Sequence, residues 1–289
     1  MSQKPTLPAH HKLHLQNHFG FTRVPFCKNL FPFEMFDSRS QRDLFQALML
    51  WTDVKGLGLV TGPSGVGKSL TVRKFVMSLD EARFRTVHLA AVPATPAGFL
   101  RSVNRALDLP MRSHTSDLFD QAHKHLTGQR DERAQHPLLV IDNAEGLSSE
   151  ILDLLRRLTS FALDSEDRFS ILLTGTDDLL RTLREPTMEP LRTRITYAQP
   201  LRPFSLEDTR NYVAFHVKRS APTRPELFTD DAARRLFHAS QGRPRSINQL
   251  ALQSLIQADV EGRDQIDGDF MAGQNAAHPL YEGPAAGAA

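Results

Sequence analysis

Eight consecutive residues carry the strongest chemical signal in the chain. Gly62-Pro63-Ser64-Gly65-Val66-Gly67-Lys68-Ser69 fits the pattern G-x-x-x-x-G-K-[ST]. Glycines let a backbone turn so that its N–H groups converge on one point, and a helix starting at the end of the turn adds its positive pole. Such a nest holds phosphate. Lys68 then reaches the terminal phosphates and the Ser69 hydroxyl ligates Mg2+, so Gly62 to Leu70 is the candidate phosphate-binding stretch.

A loop of this kind needs a second acid to hold the metal. Leu138-Leu139-Val140-Ile141-Asp142 supplies one: an apolar run whose last residue emerges at the end of a strand, either beside the phosphates or simply as a cap. Asn143 follows it, and Glu145 lies two residues further on. Asn143 can orient a water but cannot take its proton, whereas Glu145 can do both. The next buried run, FSILLTG, ends near Thr174 and Thr176, where a polar side chain can meet a γ-phosphate or its water, or only start the following helix. Arg192 and Arg194 come next, two apart. One is read as a solvated side chain and the other as a cation that completes a neighbouring subunit's site, Arg194 ahead of Arg192. Arg245, in GRPRSIN, opens a helix from which it can swing onto bound phosphates.

The elements that must hold these groups alternate. Helix is expected from Ser38 through Trp51, with Leu44, Phe45, Leu48 and Trp51 on one face. Strands are expected at LGLVTG, RTVHLAAV, PLLVID and FSILLTG. Helices are expected at SLTVRKFVMSL, near 97–108, 116–127 and 149–163, and at DDLLRTLRE. This α/β alternation indicates a central parallel sheet flanked by helices. After ITYAQPLRPF the pattern is helical only, at about 205–219, 230–240 and 245–259. The reading is therefore an irregular arm at 1–37, an α/β domain at 38–203, a small all-helical lid at 204–269 and a flexible tail at 270–289.

Composition bounds the rest. With 289 residues, 40% hydrophobic and 24% charged, the chain is an ordinary folded protein. The lone Cys27 excludes an internal disulfide framework and a zinc site built on several thiolates. His10, His11, His14 and His18 have no carboxylate or cysteine at ligand spacing, so no metal is assigned to them. No run approaches a membrane span and the polar start lacks a signal-peptide core; a soluble, cytoplasmic protein is expected. The net charge of +2 hides an asymmetry. Residues 261–289 carry five acids against one base, leaving 34 basic and 28 acidic residues elsewhere. Arginine supplies 27 of the 35 basic residues, through base composition or through function.

The order of motifs resembles AAA+ ATPases: GPSGVGKS, the Asp142 strand, the Thr176 strand, LRTRI and GRPRSIN, with a helical lid last. FGFTRVPF in the arm and LFTDDAARRLFHASQGRPRSINQLALQSLIQA in the lid are most similar to the ExeA/TnsC-like group, which includes helper ATPases of DNA transposition. The resemblance covers about residues 18–268. It implies ATP and Mg2+ as cofactors, held by Lys68, Ser69 and Asp142. It further implies Thr176 as first sensor, Arg194 as trans finger, Arg245 as second sensor, and Val24, Pro25 and Phe26 beside the adenine. Asn143 departs from the glutamate usual in the group, which implies slow hydrolysis.

Relatives of this kind form rings or filaments on duplex DNA and recruit or stimulate a transposase, then disassemble on hydrolysis. Arg101 and Arg105, four apart on one helix face, are read either as contacts to a DNA backbone in the channel or as a solvated face. Three other functions compete with a transposition helper. They are a nucleotide-gated DNA clamp with little turnover, a secretion-associated ATPase of the ExeA kind, and a P-loop switch without DNA.

Overall fold

The computed structural model describes residues 10–27, 32–89, 93–128, 135–160, 167–221 and 226–278. The chain divides into two compact units, Arg39–Arg202 and a second one formed by Met1–Ser38 with Pro203–Ala289.

The first unit is an α/β layer structure. Its strands are β1 (Leu57–Thr61), β2 (Phe84–Leu89), β3 (His136–Ile141), β4 (Ser170–Gly175) and β5 (Ile195–Pro200), all parallel in the order β2-β3-β4-β1-β5. Burial on both faces explains why β1, β3 and β4 read as unbroken apolar runs rather than alternating ones. Leu139, Ile141, Ile171 and Leu173 point to one face, into a core with Phe99, Leu100, Leu118, Ile151 and Leu155. Val60, Leu138, Val140 and Leu172 point to the other, against Leu44, Leu48, Trp51, Val72 and Phe75. Those two layers come from α4 (Pro96–Ala106), α5 (Thr115–Thr127) and α6 (Ser149–Thr159) on one side, and α2 (Arg39–Val54) and α3 (Lys68–Met77) on the other. Two shorter helices, α7 (Asp177–Arg184) and α8 (Glu189–Arg192), join β4 to β5.

Strand β5 is the element that the residues conceal. ITYAQP alternates between half-buried and exposed positions because it is an edge strand, paired among the described residues only to β1. The helix expected at 149–163 ends at Thr159 in the structure, and residues 161–166 lie outside the described residues.

The second unit contains α1 (His10–Phe19), α9 (Leu206–Ser220), α10 (Asp230–Ser240), α11 (Pro244–Val260) and α12 (Gly268–Ala277). Two expectations are corrected here. The arm is not wholly irregular, since α1 lies within it and buries Leu15 and Phe19 in the same core as Phe26, Leu236 and Leu255. Nor does a flexible tail begin at residue 270. Asp267 caps α12 by accepting the Phe270 N–H at 2.8 Å, and Phe270 and Met271 are buried. Residues 279–289, the rest of that tail, lie outside the described residues, as do 1–9.

Folding also gives two of the arm's histidines a carboxylate. His14 and His18 bond Asp259 through Nδ1, at 2.8 Å and 2.6 Å. Burial pushes the Asp259 carboxyl up, but the hydrogen bonds and charge of the two histidines outweigh it and hold the group below its usual range. Among the described residues, no three His, Cys, Asp or Glu side chains are arranged to hold a metal.

His216 makes this unit acid-sensitive. Its Nδ1 accepts the Phe26 N–H at 3.3 Å and its ring stacks on Phe26 at 4.9 Å. Burial, with Arg23 and Arg219 adding repulsion, lowers its pKa from 6.5 to about 4. A folded pKa below the unfolded one means full stability above 6.5, lost as pH falls through the window towards 4. One such group contributes about 1.4 kcal/mol per pH unit inside that window. His136, also lowered to about 4, adds a parallel slope in the first unit. Thermal melts should show the loss as pH falls from about 6.5 towards about 4. His216→Gln, which keeps an acceptor but cannot take a proton, should flatten it.

Candidate functional site

Parallel strands finish at one edge of the sheet, so the residues that follow them are gathered there. The loop after β1 is held by its glycines. Gly62 adopts φ +144°, and a Cβ on it would sit 2.4 Å from the Leu201 carbonyl oxygen. Gly67 adopts φ +107°, and its Cβ would meet Gln41 Nε2 at 2.7 Å. Neither position accepts a side chain without distortion. Pro63, Ser64, Gly65 and the buried Val66 complete the turn, and α3 begins at Lys68 and continues through Ser69 and Leu70.

Lys68 is only 9% exposed, and its Nζ donates to the carbonyls of Gly62 at 2.8 Å and Pro63 at 3.1 Å. The ammonium thus straddles the loop that it would share with phosphate. Gln41 was not singled out by its spacing. It is a buried polar residue on the stripe Gln41, Leu44, Leu48 and Trp51 of α2, and a polar break in an apolar stripe is the signal that marks it.

Asp142 follows β3, with Ile141 opposite Leu173 of β4. One of its oxygens, Oδ1, accepts from the Thr174 hydroxyl and from the Asn143 N–H at 3.0 Å. Thr174 is fully buried. Among the described residues, Asp142 Oδ2 and the exposed Ser69 hydroxyl take no hydrogen bond. Two hard oxygen donors of this kind suit Mg2+, which prefers few protein ligands alongside phosphate and water.

Asn143 is exposed in the left-handed conformation, φ +56°, a region that asparagine tolerates. Glu145 Oε2 accepts the backbone N–H of Thr176 at 3.2 Å, so its carboxylate rests on the start of α7. Thr176 is half-buried, and its hydroxyl has only a long contact, 3.5 Å, to Asp178.

The two arginines before β5 lie at the other edge of the sheet. Ile195 pairs with Leu57, the first residue of β1, whereas the phosphate loop follows the last. Five residues of strand separate them, about 16 Å at a rise of about 3.3 Å per residue. That is further than an extended arginine reaches. Arg192 Nη1 donates to the Leu183 carbonyl at 3.0 Å, closing the end of α7. Arg194 is half-buried and lines a polar cavity of about 450 Å³ with Thr159, Asp167 and Thr193.

Arg101 and Arg105 are both exposed on α4, opposite the buried Phe99, Leu100 and Val103. Neither forms an ion pair among the described residues, in contrast with Arg156, Arg210, Arg219 and Arg235. In the helical unit, Arg245 is exposed on the first turn of α11. Val24, Pro25 and Phe26 line a largely apolar cavity of about 750 Å³ there, facing Leu252 and Ile256.

No helix among the described residues is long and apolar enough to cross a membrane. Residues 52–183 match a family model described as an AAA domain. The chain is 27% identical over 251 residues to general secretion pathway protein A of Aeromonas hydrophila, covering 86% of this chain and 45% of the relative. It therefore spans less than half of that protein's length. Among solved structures, Cdc6p from Pyrobaculum aerophilum superposes with a TM-score of 0.64 at 19% identity, over 90% of this chain and 70% of its own. Drosophila ORC bound to DNA gives 0.69 at 14% identity, over 95% and 68%. The chain has the P-loop AAA+ fold, with its AAA-domain match at residues 52–183.

Proposed function

We propose that the chain is an ATPase that assembles head to tail on duplex DNA and recruits or activates a transposase, with hydrolysis driving disassembly. ATP·Mg2+ sits on Gly62 to Leu70, with Lys68 on the terminal phosphates and Ser69 and Asp142 towards the metal. Mg2+ supplies charge neutralisation at the phosphates when bound. Adenine rests against Val24, Pro25 and Phe26, Thr176 and Arg245 sense the phosphates, and Arg194 completes the site of the next copy. One observation carries this reading: the phosphate loop and Arg194 flank opposite ends of the same strand, so an Arg194 that serves the site would come from a second copy.

Support for DNA comes from Arg101 and Arg105, whose exposed charges lack acidic partners among the described residues. A structural relative is described bound to DNA. Asn143, with the Glu145 carboxylate resting on the Thr176 N–H, favours slow turnover and hence a clamp-like variant of the same reading. The similarity to a general secretion pathway protein favours a second reading, a secretion-associated ATPase.

Titrating labelled duplex DNA in ATP and Mg2+ separates these. Arg101→Gln/Arg105→Gln should lower affinity and reduce the salt slope by roughly two, about one per phosphate contact. A parent protein that binds DNA no better than a neutral polymer would remove the DNA reading altogether.

A further inference from the structure

We infer that Thr174 is a positioning residue that decides which oxygen Asp142 offers to the nucleotide-bound metal. The inference rests on the proposed ATP·Mg2+ site and deepens it. Strands β3 and β4 are parallel and in register, Ile141 lying opposite Leu173, so the next residues along, Asp142 and Thr174, are neighbours on one face. That face is the one bearing Val140 and Leu172, which pack with Val72 and Phe75 of the helix that follows the phosphate loop.

Thr174 is fully buried at the end of an otherwise apolar run, where an unpartnered hydroxyl is costly. Its hydrogen goes to Asp142 Oδ1, which also takes the Asn143 N–H at 3.0 Å. Both donors fall on the same oxygen. The carboxylate is thereby fixed in rotation, and Oδ2, with no hydrogen bond among the described residues, keeps its lone pairs available. Without Thr174 the Asn143 amide alone marks Oδ1. The carboxylate can then turn, and holding it in place falls to the metal.

Groups that orient a ligand in this way typically change metal affinity by about 10–100-fold. The test is binding of a fluorescent ATP analogue as a function of Mg2+, with a parallel titration in chelator. Thr174→Val preserves shape and removes the hydroxyl. It should leave metal-free nucleotide binding unchanged and raise the Mg2+ concentration at half-saturation about tenfold. Thr174→Ser, which retains the hydroxyl, should restore the parent midpoint. The inference is overturned if Thr174→Val keeps that midpoint, if Thr174→Ser behaves as Thr174→Val does, or if either variant loses metal-free binding. A parent that binds no nucleotide would instead defeat the ATP·Mg2+ reading, so the two failures are distinct.

Discussion

Lys68→Ala is expected to abolish nucleotide binding and, with it, nucleotide-dependent assembly. The ammonium is nearly buried, and it bonds the carbonyls of Gly62 and Pro63, the first two residues of the loop. Removing it takes away the loop's only side-chain cation and its internal tie together. A hydrogen bond to a charged group contributes about 1.5–3 kcal/mol, or roughly 10- to 150-fold in affinity for each bond lost to phosphate. Two such bonds put the variant beyond detection in an equilibrium titration with a fluorescent nucleotide. Unchanged affinity would mean that the 62–70 loop is a turn and not a phosphate site. Lys68→Arg is not a conservative control, because a planar guanidinium cannot occupy the compact niche between those two carbonyls.

The second large effect is expected at Arg194, and it has a different signature. Arg194→Ala should bind nucleotide as the parent does while its turnover falls by roughly 10³-fold or more, the range for a cation that acts only in the transition state. Arg192→Ala should instead lower thermal stability modestly, since its guanidinium closes α7 on the Leu183 carbonyl. Mixing sharpens the test. Asp142→Asn retains its arginine and Arg194→Ala retains its acid, so an equal mixture of the two inactive variants should recover about a quarter of complete sites if the contact is head to tail. No recovery, together with loss of turnover in Arg192→Ala, would transfer the role to Arg192.

The sheet was legible where it is buried on both faces. Runs such as LLVI and SILLTG have no other stable home, so β1, β3 and β4 could be read from residue type alone. The edge strand β5 could not, because half-exposed alternation ending in proline looks like a connection. Helix α1 was hidden for another reason. HHKLHLQNHF is mostly polar, and what stabilises the helix is the core that Leu15 and Phe19 enter. Glycines at 268 and 273 disguised α12 as a tail, until Phe270 and Met271 are seen to be buried.

At the site, the local motif was fully readable because all its parts lie within nine residues of one another. Its supports were not. Gln41 meets Gly67 from 26 residues away, Thr174 meets Asp142 from 32, and Glu145 meets the Thr176 amide from 31. Those pairings are set by strand order, and strand order is not written in any one segment.

The span of β1 has a consequence for any assembly of copies. A row whose members each borrow a cation from one neighbour has two unlike ends. At one end a loop holds nucleotide that no arginine serves; at the other, an arginine serves no nucleotide. An open filament therefore has one site fewer than it has copies, and its terminal nucleotide outlasts those inside. Such an end acts as a cap, shed last or extended first. A closed ring has no such end, and every copy in it turns over alike. Turnover per copy, followed as a function of length, thus distinguishes filament from ring without an image of either.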